Sequence, residues 1–128
     1  MIPYIVATLI GNLKDISQRA LETFKEVDLI LAEDTRRIQK LLSFFKIKKP
    51  LLCYHQHSKS NRLKEITEHL KENKKLAFVC DAGTPGISDP GTKLIKYLTK
   101  EIPNIKIIPI PGPSALTSAL SVSGFFSN

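Results

Sequence analysis

The sequence predicts an α/β fold with an open, mainly parallel sheet of five strands and helices on both faces. Five short apolar runs alternate with segments of helical periodicity along a chain of 128 residues. The runs are continuous rather than alternating, which is typical of strands that are covered on both faces of a parallel sheet. Repeated strand–helix units of this kind favour a single layered α/β domain. The predicted strands are Ile2–Leu9, Val27–Ala32, Leu51–Tyr54, Leu76–Cys80 and Ile105–Ile110.

The first predicted helix follows the first strand in "DISQRALETFKEV". Ile16, Ala20 and Phe24 recur at the spacing of one helix face. Asp15, followed three residues later by Gln18, resembles a capping box, so we expect the helix to begin there.

Four further helices follow from the same periodicity. The second lies in "DTRRIQKLLSFF", the third in "SKSNRLKEITEHLKEN", and the fourth begins behind Asp89-Pro90, a good cap and first-turn pair. The last is expected over residues 113–123, with Gly124 as its stop. Their apolar faces consist of Ile38, Leu41, Leu42 and Phe45, then Leu63, Ile66 and Leu70, then Leu94, Ile95 and Leu98.

The composition is globular and basic. Apolar residues make up 42% of the chain, and 19 basic against 12 acidic residues give a formal net charge of +7. This charge favours an anionic partner such as nucleic acid. A solvated, lysine-rich surface explains the same composition equally well.

Cys53 and Cys80 each end an apolar run without CxxC spacing, which is typical of buried free thiols in a reducing compartment. The apolar N-terminus lacks a basic leader and a cleavage site and is too short to span a bilayer. We therefore expect a cytoplasmic protein without membrane contact.

The strongest functional signal lies at the predicted strand ends, where ligands bind in open α/β sheets. The loops "TLIGN", "AEDTR", "CYHQH", "DAGTPGISDP" and "PGPSA" hold four of the six glycines and four of the eight prolines. Tight turns explain each loop singly. The concentration at one edge indicates a ligand site.

Several familiar sites are excluded by their motifs. The chain has no G-x-G-x-x-G after the first strand, no P-loop and no nucleophile-elbow sequence. His55 and His57 are two residues apart, but no third ligand accompanies them, so no metal site is expected.

The segments "IGNLKDISQRALETFKEVDLILAEDTRR", "DAGTPGISDPG" and "PIPGPSA" resemble the tetrapyrrole-methylase superfamily. Within it, they resemble the branch that methylates a cytidine 2′-hydroxyl of small-subunit rRNA with S-adenosylmethionine. The resemblance implies that residues 1–124 form an N-terminal domain and that residues 125–128 begin a linker to a second domain. It also implies a homodimer and a methyl donor held between the domains. Leu9 stands where the family has a proline.

The resemblance also implies which residues bind. The methyl donor would be contacted by Leu9, Gly83, Thr84, Gly86, Ile87, Ser88, Ser114 and Ala115. The RNA would be contacted by Asn12, Glu33, Asp34, Arg36 and Arg37. The catalytic group is not assigned, and His55 and Asp81 are the candidates.

Structural roles compete with several of these assignments. Asp34 or Thr35 can cap the second helix while the arginines are solvated, Asn12 can support its turn, and Ser114 can be a first-turn serine. Asp81 can orient its loop or contact the substrate. At the level of the whole chain, the alternatives are a methylase of tetrapyrroles such as precorrins, and a module that binds RNA or dimerises without turnover.

Overall fold

A computed structural model describes residues 2–55, 57–86 and 91–125, and these form the predicted α/β architecture. One five-stranded sheet has the order β3-β2-β4-β1-β5, and every strand pair is parallel. The strands are β1 Pro3–Val6, β2 Leu29–Ala32, β3 Leu51–Cys53, β4 Leu76–Val79 and β5 Ile108–Ile110. The helices are α1 Gln18–Glu26, α2 Thr35–Phe44, α3 Ser60–Lys71, α4 Gly91–Glu101 and α5 Ala115–Ser123.

The strands are shorter than the apolar runs that predicted them. β1 ends at Val6, and by Thr8 the backbone bonds to a loop, because the Thr8 N–H donates to the Gly83 carbonyl at 3.0 Å. β5 begins only at Ile108, since the N–H of Ile105 donates to the carbonyl of Ile102 in the turn after α4.

The predicted capping box at Asp15 and Gln18 is wrong. Asp15 ends a short 3₁₀ turn, Leu13–Asp15, and α1 begins at Gln18 with Ser17 as its N-cap. The Ser17 Oγ accepts from the Ala20 N–H at 3.0 Å, while the Gln18 amide reaches forward to Glu22. Serine takes the cap because the backbone there is extended, which is the conformation that an N-cap requires.

The other helix ends mostly follow the prediction. α5 starts two residues later than expected, since Ser114 is its N-cap, and it stops at Gly124 in the left-handed conformation. The predicted cap at Asp89-Pro90 lies outside the described residues.

Two apolar cores, one on each face of the sheet, confirm the prediction of helices on both sides. Phe24 and Leu42 anchor the core under α1 and α2. Ile66 and Leu94 anchor the core under α3 and α4. Burying both faces explains why the strand sequences are apolar at consecutive positions.

Tyr54 is an anomaly in the second core. It is 1% exposed, its ring packs edge-on against Phe78 at 5.9 Å, and its hydroxyl has no hydrogen-bond partner among the described residues. An unsatisfied buried hydroxyl is costly. Burial also raises the pKa of Tyr54 above its usual value, because the ionised form is poorly solvated there.

We expect Tyr54→Phe to raise the free energy of unfolding by about 1 kcal/mol, since it removes the unpaired hydroxyl and keeps the ring packing. Because the folded-state pKa is raised, the native tyrosine also loses stability as the pH rises above 10, and the variant lacks that loss. Urea unfolding at pH 7 and pH 10.5 measures both effects. A lower unfolding midpoint for the variant at pH 7 would show that the hydroxyl has a partner after all.

Among the α-helices in the described part of the chain, α5 alone has no buried side chain. Leu116 is 71% exposed and Val122 is 85% exposed, and Phe125 just beyond the helix is 79% exposed. Apolar side chains in this number are unusual on a free surface. In the part of the chain that the structure describes, no helix has the length and apolar character needed to cross a membrane.

Candidate functional site

Three loops meet at the carboxyl edge of the sheet. We call residues 7–12 loop 1, residues 80–86 loop 4 and residues 111–114 loop 5. They follow β1, β4 and β5, which are adjacent in the sheet. The sequence predicted a ligand site at the edge where five strand-end loops lie, and the strand order brings these three of the five side by side.

Gly83 connects loop 4 to loop 1. Its carbonyl accepts from the Thr8 N–H at 3.0 Å, and its own N–H donates to the Leu9 carbonyl at 3.2 Å. It adopts a φ of +71°, in the left-handed region that favours glycine. A Cβ at this position would lie 3.5 Å from Ile10 Cγ2 and 3.9 Å from the Pro113 carbonyl oxygen. Gly83, itself in loop 4, therefore also lies close to loops 1 and 5.

Gly112 joins loop 5 to the end of β1 by close packing. A Cβ there would lie 2.9 Å from the Ala7 Cβ and 3.4 Å from the Ala7 carbonyl oxygen. Ala7 is fully buried, and its N–H donates to the Ile110 carbonyl at 3.0 Å. Only glycine fits at residue 112 without a backbone shift.

The rest of the predicted methyl-donor set lies along the same loops. Thr84 is exposed, and Gly86 has a φ of +91° and accepts a hydrogen bond from the Thr92 hydroxyl through its carbonyl. The Ser114 Oγ accepts from the Thr117 N–H at 3.4 Å as the N-cap of α5, and Ala115 is the exposed first residue of that helix. Ile87 and Ser88 lie outside the described residues.

A cavity of about 320 Å³ opens beside loops 1 and 4. α2 forms one of its walls, and the ends of β2 and β4 lie at its base. Its lining is mainly apolar, with Ala32 and Val79 at the strand ends and Leu41 on α2. Its polar lining consists of Thr8, Asp34, Arg37, Lys40 and Asp81. Apolar walls with a few polar groups are typical of small-molecule sites.

Asp34 is the N-cap of α2. Its Oδ1 accepts from the Arg36 N–H at 3.0 Å and lies 3.3 Å from the Arg36 Nε. These bonds to Arg36 hold the pKa of the Asp34 carboxyl below its usual value. Asp34 therefore acts as the helix cap, and Arg36 is paired with it while 87% of the Arg36 side chain is exposed to solvent.

We expect Asp34→Ala to lower the melting temperature by a few degrees and Asp34→Asn to lower it much less, because asparagine also caps helices well. The depressed pKa means that the cap stabilises the fold above pH 3.8 and is lost as the pH falls through the folded-state pKa below it. Thermal unfolding at pH 7 and pH 3 separates the variants. Equal melting temperatures for alanine and asparagine at pH 7 would refute the cap.

Arg37 lines the cavity, whereas Arg36 does not. Asn12 caps the 3₁₀ turn, with its Oδ1 accepting from the Lys14 N–H at 3.0 Å. The carbonyl of Glu33 accepts from the Cys53 thiol at 3.3 Å. Of the predicted RNA-contacting residues, Asp34 and Arg37 are thus the two that share the cavity.

The two catalytic candidates line different cavities. Asp81 lies in loop 4 on the wall of the first cavity. His55 lines a second cavity of about 400 Å³ beside the N-terminus of α3, together with Lys59 and Arg62. There the His55 N–H donates to the Ser58 Oγ at 3.0 Å, and its Nδ1 accepts from the His57 N–H at 3.1 Å. Among the described residues, no three His, Cys, Asp or Glu side chains are arranged to hold a metal ion.

Most of the residues that line the first cavity were not assigned to a site from the sequence. Lys40 lies three residues after Arg37 on α2, and this spacing on one helix face was a signal that could have found it. Leu13 and Phe44 are 37% and 63% exposed and line the cavity. No motif marks these two.

The chain is similar to known proteins over nearly its whole length. Residues 4–126 match the family model described as "Tetrapyrrole (Corrin/Porphyrin) Methylases". The chain is 57% identical over 121 residues to the ribosomal RNA small subunit methyltransferase I of Thermotoga maritima, covering 94% of this chain and 54% of that protein. It is 49% identical over 125 residues to the protein of the same name in Haemophilus influenzae, covering 98% of this chain and 44% of that protein.

Among solved structures, uroporphyrin-III-C-methyltransferase from Thermus thermophilus has the same fold. The TM-score is 0.69 at 19% identity, and the match covers 99% of this chain and 53% of that one. The chain thus spans about half the length of the curated relatives that it matches. With a family model matched over nearly its whole length, the chain belongs to the tetrapyrrole (corrin/porphyrin) methylase family.

Proposed function

We propose that this chain is the methyl-donor-binding part of an enzyme that methylates the 2′-hydroxyl of a cytidine in small-subunit rRNA. The observation that carries the proposal is the meeting of loops 1, 4 and 5 through Gly83 and Gly112. The similarity to two proteins named as ribosomal RNA small subunit methyltransferases supports the substrate class. The net charge of +7 is consistent with an RNA partner.

The loops suit S-adenosylmethionine as the methyl donor. When bound, this molecule supplies an electrophilic methyl group on a sulfonium. Positive φ at Gly83 and Gly86, and the close packing of Gly112 on Ala7, hold loops with little side-chain bulk together at one edge of the sheet, which lets a ligand approach the backbone closely. We propose that Leu9, Thr84, Ser114 and Ala115, with Ile87 and Ser88 beyond the described residues, complete this side of the pocket.

The chain must also orient the ribose and take its proton. Transfer forms a bond between the 2′-oxygen and the methyl carbon, breaks the sulfur–carbon bond and releases the hydroxyl proton to a base. Asp81 and His55 stay the candidates for that base, and Asp81 belongs to the same loop as Gly83. We further propose that Arg37, with Arg36, Asn12, Glu33 and Asp34 around it, contacts the RNA.

The uncovered apolar side chains of α5 offer a surface that a further domain can cover. We propose that residues 1–124 form the N-terminal domain, that 125–128 lead into a second domain, and that this second domain completes the methyl-donor pocket. Support comes from α5, whose apolar side chains are uncovered, and from the greater length of the relatives. We also propose that the full-length protein is a homodimer, acting on the ribosomal subunit in the cytoplasm.

Methylation of rRNA from cells that lack the gene tests the proposal. The full-length protein is incubated with S-adenosylmethionine and either the small subunit or its naked rRNA. Nuclease digestion and mass spectrometry should then show 2′-O-methylcytidine, and primer extension should locate it. Uroporphyrinogen and precorrin substrates serve as the comparison. Methylation of a tetrapyrrole but not of RNA would reject the rRNA function in favour of the family's other chemistry, and S-adenosylmethionine binding without any transfer would favour a non-catalytic module.

A further inference from the structure

The cavity beside loops 1 and 4 has the size and lining of a pocket for a single nucleobase. At about 320 Å³, it is near the lower end of the range for small-ligand sites. Such a volume suits one nucleotide rather than a macrocycle. The side chains of Ala32, Leu41 and Val79 provide apolar surface on which a planar base can lie. Enzymes that act on one nucleotide of an RNA commonly unstack its base into a pocket of this kind.

Two polar groups in this cavity lack partners within the described part of the chain. Thr8 is 3% exposed, and its hydroxyl makes no hydrogen bond to the described residues. The Asp81 carboxylate is exposed and forms no ion pair with a described residue, so it is free to meet a ligand in the cavity. The other carboxylate, Asp34, is already occupied as a helix cap.

The two free groups fit cytosine better than uracil. A carboxylate accepts from the exocyclic amino group of cytosine, and a hydroxyl can donate to the adjacent ring nitrogen. Uracil presents a carbonyl oxygen in place of the amino group, which a carboxylate repels. Asp81 would therefore discriminate between the two pyrimidines, and a carboxylate engaged with the amino group would not also be the base that takes the ribose proton.

Two cations can hold the phosphates beside such a base. Arg37 and Lys40 lie three residues apart on α2, and both line the cavity. Neither forms an ion pair with a described residue. Phosphate contacts position an RNA without reading its sequence, so these side chains would add affinity and Asp81 would add selectivity.

Loop 1 connects this cavity to the proposed methyl-donor loops. Leu9 lines the cavity, and its carbonyl accepts from the Gly83 N–H. A base in the cavity would thus leave its ribose at the rim, beside loop 4. We propose that the cavity receives the unstacked cytosine of the nucleotide to be methylated, and that Asp81 is the specificity-determining residue that reads its amino group. This inference rests on the proposed function, because it assumes an RNA substrate.

Fluorescence anisotropy with the full-length protein tests the inference. The probes are three labelled nine-nucleotide RNAs of uridine that carry at the centre a cytidine, a uridine, or a 2-pyrimidinone nucleotide without the amino group. We expect the cytidine RNA to bind about tenfold tighter than the other two. Asp81→Asn should remove this preference, because an amide can accept from cytosine or donate to uracil. Asp15→Asn, an equal loss of charge at an exposed residue outside the cavity, should keep it.

A second pair of variants tests the phosphate contacts. Arg37→Ala should weaken binding of all three RNAs equally and reduce the slope of log affinity against log salt by about one. Lys100→Ala, on the exposed end of α4, should change neither quantity. An Arg37→Ala variant that binds like the native protein would contradict the placement of the phosphates.

Calorimetry with S-adenosylmethionine separates failure of this inference from failure of the proposed function. Unchanged affinity in Asp81→Asn shows a folded protein with an intact methyl-donor site. Native protein that binds S-adenosylmethionine but does not prefer the cytidine RNA would overturn this inference and leave the proposed function standing. The inference would also be overturned if Asp81→Asn lost S-adenosylmethionine binding but kept the preference for the cytidine RNA. The cavity would then belong to the methyl donor. A cytidine preference without any S-adenosylmethionine binding would support the base pocket and reject the methyltransferase.

Discussion

Replacing Gly83 by alanine is expected to weaken S-adenosylmethionine binding by the full-length protein at least tenfold. Gly83 has a φ of +71°, where a side chain costs about 1–2 kcal/mol. The space around it would accept a methyl group, since the nearest atom to a Cβ is Ile10 Cγ2 at 3.5 Å. The backbone therefore relieves the strain by rotating, which pulls Gly83 away from Thr8 and Leu9. A loss of about 1.4 kcal/mol in binding free energy gives the tenfold effect.

Gly124→Ala is the matched control for this variant. Gly124 has a φ of +76° and open space around it, so alanine there introduces the same backbone strain at the end of α5. Both variants should lose stability to a similar degree. Only Gly83→Ala should lose affinity for the methyl donor, as measured by calorimetry. Equal affinities for the two variants would show that loop 4 does not shape the pocket.

Gly112→Ala is expected to destabilise the protein by about 1–3 kcal/mol, because it forces a methyl group into a filled space. The new Cβ would lie 2.9 Å from the Ala7 Cβ, and no flexible side chain is present to move aside. Loop 5 must then withdraw from the end of β1. We expect the affinity for the methyl donor to fall together with the stability.

Removing the opposing methyl group tests this explanation. Ala7→Gly alone should cost about 0.5–1 kcal/mol through added freedom in the unfolded chain. Combined with Gly112→Ala, it should restore part of the lost stability, since one methyl group then replaces the other. Urea unfolding of the single and double variants measures the coupling. Additive losses in the double variant would show that the two residues do not compete for the same space.

The fold was predictable because the pattern that specifies it is local. Continuous apolar runs predicted strands that are buried on both faces, and the two cores confirm this. Local patterns placed element ends less well. Asp15 and Gln18 matched a capping box, but Ser17 lies in the extended backbone that precedes α1 and took the cap.

The candidate site was predictable only in part. The loops and their glycines followed from composition and from the predicted parallel sheet, whose strand ends share one edge, and the resemblance to a family named the ligand. The cavity did not follow, since it depends on how α2 packs against β2 and β3 and leaves space beside the ends of β2 and β4. Phe44 contributes to it through that packing, which no short-range pattern encodes.

Calorimetric titration of the full-length protein with S-adenosylmethionine tests the central claim most directly, namely that loops 1, 4 and 5 hold a methyl donor. We predict saturable binding with one site per chain, and weaker binding in Gly83→Ala at unchanged stoichiometry. A native, folded protein that releases or absorbs no heat with S-adenosylmethionine, and that shows no change in melting temperature at saturating concentration, would contradict the claim.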